Sequence, residues 1–202
     1  MDSKIDNLSF YNTQLSPSER TADGKPWLAV RLFVPRIEDI AHLLADNGIE
    51  MFIPIENTTV EDSEHHRRHI QRPVLRNYLF VKKDRSLMEI QKTMSDIPFP
   101  TALMKRTNIP GDKFAEIEAN EMKEFMIMCN PDITMKYFLT QEQAQLKKGT
   151  EVLVKYGPLK GLSGKLVRQS KRYFLLKEVP GIAVMLKVGR WCCKPLMETK
   201  AP

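Results

Sequence analysis

Two rhythms of apolar residues run along the chain. Trp27-Leu-Ala-Val-Arg-Leu-Phe-Val34 is an apolar run broken by a single charge, long enough for a central strand. Pro35 stops it and suits the first turn of a helix. Over residues 36–47, Ile37, Ile40, Ala41, Leu43 and Leu44 recur at helical spacing, with Glu38, Asp39, His42 and Asp46 opposite and Gly48 as a C-cap. Residues 49–55 read as a second strand, with Pro54 implying an edge or a bulge. Residues 56–71 predict an extended hairpin arm whose outgoing side carries Glu56, Glu61, Asp62 and Glu64. Its returning side carries His65, His66, Arg67, Arg68 and His69, with Arg72 just beyond. A strongly apolar strand over 73–81, a short amphipathic helix over 86–95 and a short strand over 101–104 follow. A longer helix is expected from Pro110-Gly111-Asp112, with Phe114, Ile117, Met122, Phe125, Met126 and Cys129 in one apolar stripe ended by Asn130-Pro131.

The pattern then changes. Residues 132–148 are polar and read as a linker with room for a short helix. In Gly149-Thr-Glu-Val-Leu-Val-Lys155, apolar Val152 and Val154 alternate with charged positions, as in a half-buried strand. Gly157-Pro158 breaks it, Leu159 follows, and Gly161 and Gly164 offer a positive φ or room for a close backbone approach. Short strands beginning at Leu166, over 171–176, 182–188 and 191–196, joined by tight turns, predict a small five-stranded β-barrel. The expected organisation is a flexible tail over 1–25, an α/β domain over 26–130, a linker over 131–147 and a β-domain over 148–197.

Composition narrows the function. At 42% hydrophobic and 28% charged residues the chain reads as globular, and no uncharged apolar run approaches the roughly 20 residues of a membrane span. Cys129, Cys192 and Cys193 have neither disulfide nor zinc spacing and fit a reducing cytoplasm. Charge is unevenly spread. Residues 147–196 hold 12 Lys and Arg against Glu151 and Glu178, a net +10, while the remainder carries 19 basic against 23 acidic residues, a net −4. A basic module on a mildly acidic body points to a polyanion or an acidic surface as partner. His65 and His69 would share one face of a helix as zinc ligands, but a metalloprotease glutamate is missing and Arg67 and Arg68 between them repel a dication. With no Ser-His-Asp order, phosphate loop or dinucleotide fingerprint, no enzyme, metal or cofactor is expected.

Strand, Gly157-Pro158-Leu159-x-Gly161-x-x-Gly164 and second strand resemble the KOW motif. The opening strand at Trp27, the helix after it, the charged arm and Asn77-Tyr78-Leu79-Phe80-Val81 resemble the N-terminal domain of the NusG family, with the pentapeptide closer to specialised RfaH-like members than to general NusG and UpxY-like antiterminators as the nearest functional type. The resemblance implies an α+β protein: an αβ sandwich with an antiparallel sheet flanked by helices, followed by an SH3-like barrel. It implies a non-catalytic elongation and antitermination factor that grips the β′ clamp helices of RNA polymerase, with Trp27, Phe33, Tyr78 and Phe80 as candidate contacts. Arg67, Arg68, His69 and Arg72 become candidates for the non-template or upstream DNA strand, and the KOW module for a second partner such as ribosomal protein NusE. Leu159 stands where the family turn carries an aromatic, which argues against Rho. KOW modules also sit on ribosomal RNA, so a ribosome-associated RNA-binding protein is the alternative.

Overall fold

The structure is a computed structural model in which residues 15–61, 65–106 and 114–196 are described. The chain divides into two compact units, Met1–Asp132 and Ile133–Pro202. In the first, β1 (Trp27–Leu32) is central, and five of its six residues are buried. On one edge it pairs with β5 (Tyr78–Lys82), outside which lies β2 (Met51–Phe52). On its other edge β6 (Thr101–Leu103) and β7 (Glu116–Ile117) pair with successive parts of the strand. Every one of these pairings is antiparallel.

Alternation sorts the side chains of β1 and β5 onto two faces. Leu28, Val30, Leu32, Leu79 and Val81 enter a core with Ile40, Ala41 and Leu44 of α2 (Ile37–Asp46) and Ile90 and Met94 of α3 (Leu87–Asp96). Trp27, Ala29 and Phe80 take the opposite face, where Phe80 meets Phe125 of α4 (Ala119–Met128) at 5.4 Å between ring centroids. Phe52 lies 6.2 Å from Phe125 and completes the aromatic cluster. Further along the same face, Arg31 and its cross-strand partner Tyr78 lie where cover runs out: Arg31 is exposed and Tyr78 half-buried.

Helix ends follow local chemistry. Gly48, at φ 66°, closes α2 in a Schellman turn, its N–H donating to the Ala45 carbonyl (2.8 Å) and that of buried Ile49 to Leu44 (2.9 Å). Ser86 and Glu89 form a reciprocal capping box at the start of α3.

The expected helix from residue 110 differs. Pro110-Gly111-Asp112 lies outside the described residues, and Phe114 bridges to Lys105 while Glu116–Ile117 forms β7. Ala115 and Ile117 are buried and Glu116 is exposed, a period-2 pattern that pairing with β1 favours over a helical turn. The strand expected over 73–81 is β5 alone, since Pro73 already closes the arm.

The tail expected over 1–25 also changes character from Ser16 onward. Here α1 (Pro17–Arg20) carries the buried side chain of Arg20, which donates from Nε to Glu50 Oε1 at 2.8 Å and from Nη2 to the Met51 carbonyl. Its guanidinium lies 5.2 Å from the centroid of the Trp27 ring. Lys82, also buried, donates to the Arg20 carbonyl (2.6 Å), to Glu50 Oε2 (3.1 Å) and pairs with Asp23 Oδ2 (3.1 Å). Two cations removed from water are thus met by two carboxylates and two carbonyls, which is what makes their burial tolerable.

In the second unit a six-stranded antiparallel sheet has the order β13-β9-β10-β11-β12-β8. Its members are β8 (Lys136–Thr140), β9 (Gly149–Val154), β10 (Ser163–Gln169), β11 (Arg172–Val179), β12 (Ile182–Val188) and β13 (Cys193–Pro195). Residues 136–145, read above as linker, form β8 and α5 (Gln141–Gln145). Leu139 pairs opposite Ala183, and Ala144 is buried against Val167, Phe174 and Met185. The pairings therefore describe an open path of six strands, not the expected five-stranded barrel: β8 takes the outer edge of β12, and among the described residues no ladder joins the two end strands.

Burial of Trp27 and exposure of Phe33 set opposite expectations for stability. Trp27→Ala should cost about 4 kcal/mol, whereas Phe33→Ala, at a site 57% exposed, should change stability by about 0.5 kcal/mol or less. Urea unfolding followed by circular dichroism distinguishes them, and equal costs would contradict this packing. In the ionic cluster, Glu50→Ala leaves Arg20 and Lys82 under-compensated and should cost about 2 kcal/mol. Burial raises the carboxyl of Asp23, but hydrogen bonds from Lys82 and the Lys25 N–H, with the charges of both lysines, outweigh it and hold the group below its ordinary value. A carboxylate lowered on folding stabilises the folded state above its unfolded pKa, and the contribution is lost as pH falls through the folded value. Stability should therefore decline below about pH 4, with a shallower decline in Asp23→Asn; an unchanged acid limb would remove Asp23 from the account.

Candidate functional site

The four aromatic positions singled out in the first unit separate into two kinds. Trp27 and Phe80 are wholly buried and do not reach the surface; Phe80 packs in the aromatic cluster against α4, and Trp27 lies against the cations of Arg20 and Lys82. That is a correction to their candidacy as partner contacts, and its cause is cover, by α4 over Phe80 and by Arg20 and Lys82 over Trp27. Phe33 and Tyr78 lie beyond that cover. Alternation carries Phe33 to the face of Arg31, whose guanidinium lies 5.3 Å from the centroid of its ring. Arg31 sits directly between Tyr78 and Ala102 across the two ladders, so the uncovered end of this face presents an aromatic–arginine–aromatic surface. Arg31 was not singled out in the sequence, although a lone charge inside an apolar strand is the signal of a position that escapes the core.

The arm is a two-stranded hairpin, β3 (Ile55–Glu61) and β4 (Arg67–Pro73), in continuous register from Ile55↔Pro73 to Glu61↔Arg67. Asp62, Ser63 and Glu64 lie outside the described residues, as does the side chain of Arg68, whose backbone pairs with Val60. One face carries a ladder of polar cross-strand pairs: Gln71 donates to Asn57 at 3.0 Å, Thr59 Oγ1 meets His69 Nδ1 at 3.1 Å, and Arg67 Nε lies 4.0 Å from Glu61. Such pairs hold register in an arm with little apolar area to bury. Arg67 remains largely exposed, so its ion pair is weak. His65, at φ 61°, hydrogen-bonds Glu61 through Nδ1 (2.6 Å). His65 and His69 thus occupy turn and strand, without the helical spacing that a shared zinc would use, and each has its own partner.

Arg72 belongs to the opposite face of the arm. Its Nη2 donates to Thr58 Oγ1 at 3.2 Å, but its Nε is buried with no acceptor among the described residues. It lines a cleft of about 580 Å³ between the arm and the start of α2, together with Val60, Ile70, Arg36 and Arg76. Arg36 pairs with Asp39 at 3.3 Å across an exposed turn. Three guanidinium groups and the carboxylates of Glu38 and Asp39 thus border one concave surface of mixed charge beside the first turn of α2. Arg36 escaped notice because it is joined to Arg72 only in space; Arg76 follows Arg72 by four residues, just beyond the arm.

In the second unit the glycine turn joins β9 to β10. Gly157 and Gly161 have φ of 86° and 93°, and the Gly161 N–H returns to the Val154 carbonyl at 2.9 Å. Gly164 serves differently: it lies in β10, where a Cβ would come within 2.5 Å of the Leu176 carbonyl oxygen. Pro158 is exposed at the tip and Leu159 half-buried beside it. Cys192 and Cys193 are free thiols, and burial and the neighbouring Cys192 push the Cys193 thiol up, keeping it protonated at neutral pH. Among the described residues no helix is long and apolar enough to cross a membrane.

A comparison with curated proteins returned no match. Residues 25–126, half of the 202-residue chain, match the family model described as transcription termination factor NusG. The matched residues take in β1 through β7, the arm, α2, α3 and most of α4. With the sheet, its arginine-flanked aromatic edge and the arm all inside the matched stretch, this chain belongs to the NusG family.

Proposed function

We propose that the protein is a non-catalytic transcription elongation and antitermination factor of the specialised, RfaH-like or UpxY-like type, acting in the cytoplasm on RNA polymerase. The observation that carries this reading is the family match over residues 25–126. The first unit grips the β′ clamp helices through the uncovered edge of its sheet, where Phe33 and Tyr78 provide apolar contact and Arg31 the charge. A clamp held closed in this way suppresses pausing or termination. The arm contacts the non-template or upstream strand through Arg67, Arg68, His69 and Arg72. The largely exposed guanidinium of Arg67 supports this assignment, since a phosphate oxygen can reach it. The second unit, read as a KOW-type module, recruits a further partner, with NusE a candidate; the half-buried Leu159 gives no ground for Rho.

In vitro transcription through pause and terminator templates tests the reading. Added protein should raise read-through, and Phe33→Ala combined with Tyr78→Ala should abolish the effect without unfolding the chain. Replacing Arg67, Arg68 and Arg72 together with Ala should weaken binding to elongation complexes and reduce the slope of log affinity against log salt by about 2 units. Identical transcription with and without the protein would refute the function, and an unchanged salt slope would remove the arm from it.

A further inference from the structure

Tyr156 and Trp191 are among the most exposed large side chains of the second unit, at 62% and 77%. They come from different loops, yet their rings are stacked, 6.3 Å between centroids and 21° between planes. The loops are tied together beneath them, with the Lys155 N–H donating to the Cys192 carbonyl at 2.7 Å. Gly189 seats the indole, because a Cβ there would come within 2.9 Å of Trp191 Nε1. Two aromatic rings held parallel at the surface bury little of their own area, so folding alone does not account for them.

Their surroundings indicate what they meet. Along the chain, exposed Lys155 and Lys160 lie one and four residues from Tyr156, and exposed Arg190 and Lys194 one and three residues from Trp191. Glu178 is the one acid between residues 152 and 196, and its carboxylate is engaged by Lys165 at 2.8 Å. Arg190 extends the surface by lying 5.7 Å from the Tyr173 ring, which Arg168 also approaches at 5.8 Å. Aromatic faces interleaved with arginine and lysine match a chain of unstacked bases on a phosphate backbone: rings stack on bases and cations follow the phosphates. An acidic protein would satisfy the cations but leave the stacked pair without a purpose. We infer that the Tyr156–Trp191 platform is a base-stacking site for single-stranded nucleic acid. The inference deepens the recruitment role proposed for this unit and rests on that reading only for the biological source of the strand.

The two tryptophans make the test direct, since Trp27 is fully buried and Trp191 exposed. Titrating the full chain with an oligouridylate or oligothymidylate of about a dozen nucleotides should quench the long-wavelength emission of Trp191 and leave the short-wavelength emission of Trp27 unchanged. Trp191→Ala should weaken oligonucleotide binding, measured by fluorescence anisotropy, about tenfold. Trp191→Phe should retain most of the affinity, and Lys92→Ala, at an exposed position of α3, should leave the quench unchanged. A greater affinity for the ribose or the deoxyribose probe identifies the strand; quenching by either supports the site. No quench by either probe, equal quenching by a duplex of the same length, or an unaltered affinity in Trp191→Ala would overturn it. Binding to elongation complexes, measured in parallel, separates this outcome from the proposed function: loss of the quench with polymerase binding intact sinks the platform alone.

Discussion

The antiparallel pairing of β1 with β5 is the constraint on which the first unit depends. It sets Trp27 opposite Lys82, Ala29 opposite Phe80 and Arg31 opposite Tyr78, so one face passes from an ionic cluster through an aromatic core to an open edge. A slip of one residue would send every one of these side chains into the α2 and α3 core and bring Leu28 and Val30 out. The Arg20–Glu50–Lys82 network, with both cations buried, reinforces the register, because Lys82 reaches its partners from the position opposite Trp27. Stability and the candidate contact surface are therefore two ends of one strand pair, and α4 decides where the first gives way to the second.

Much of this organisation is legible in the sequence because it rests on local signals. The apolar run at Trp27 reads as a central strand, and the helical stripe up to Gly48 reads as α2 with its cap. The arm is legible from acids followed by bases, which its register converts into Glu56↔Arg72 and Glu61↔Arg67 pairs. What escaped depends on partners distant in the chain. Arg20 looks like one charge in a polar tail; only Glu50, thirty residues away, makes it a buried anchor. Phe114 and Ile117 fit the helical stripe of α4 as well as a short strand, and the free edge of β1 settles the choice. Tyr137 and Leu139 alternate as a strand should, but the polar run that follows Thr140 masked β8.

The candidate surfaces show the same limit. Alternation alone assigns Tyr78 and Phe80 to one face, yet burial along that face changes over two residues, and no periodicity marks where helical cover ends. The cleft beside the arm joins Arg36 to Arg72 and Arg76 from two distant parts of the chain, so it is visible only after folding. In the second unit the glycine turn was evident, whereas Tyr156 and Trp191, some 35 residues apart in the chain, become a pair only through the loops that meet beneath them.

Each unit thus presents an aromatic surface flanked by arginine, the first at the edge of its sheet and the second on paired loops. The central claim is that the edge around Phe33 is the surface that faces RNA polymerase. The most direct measurement introduces a photo-crosslinking phenylalanine analogue at Phe33, which sits at the uncovered end of the face and is 57% exposed, and irradiates the protein within reconstituted elongation complexes. An adduct mapping to the clamp helices of β′ is the predicted result. Adducts with polymerase only from positions on the opposite face, with none from position 33, would contradict it.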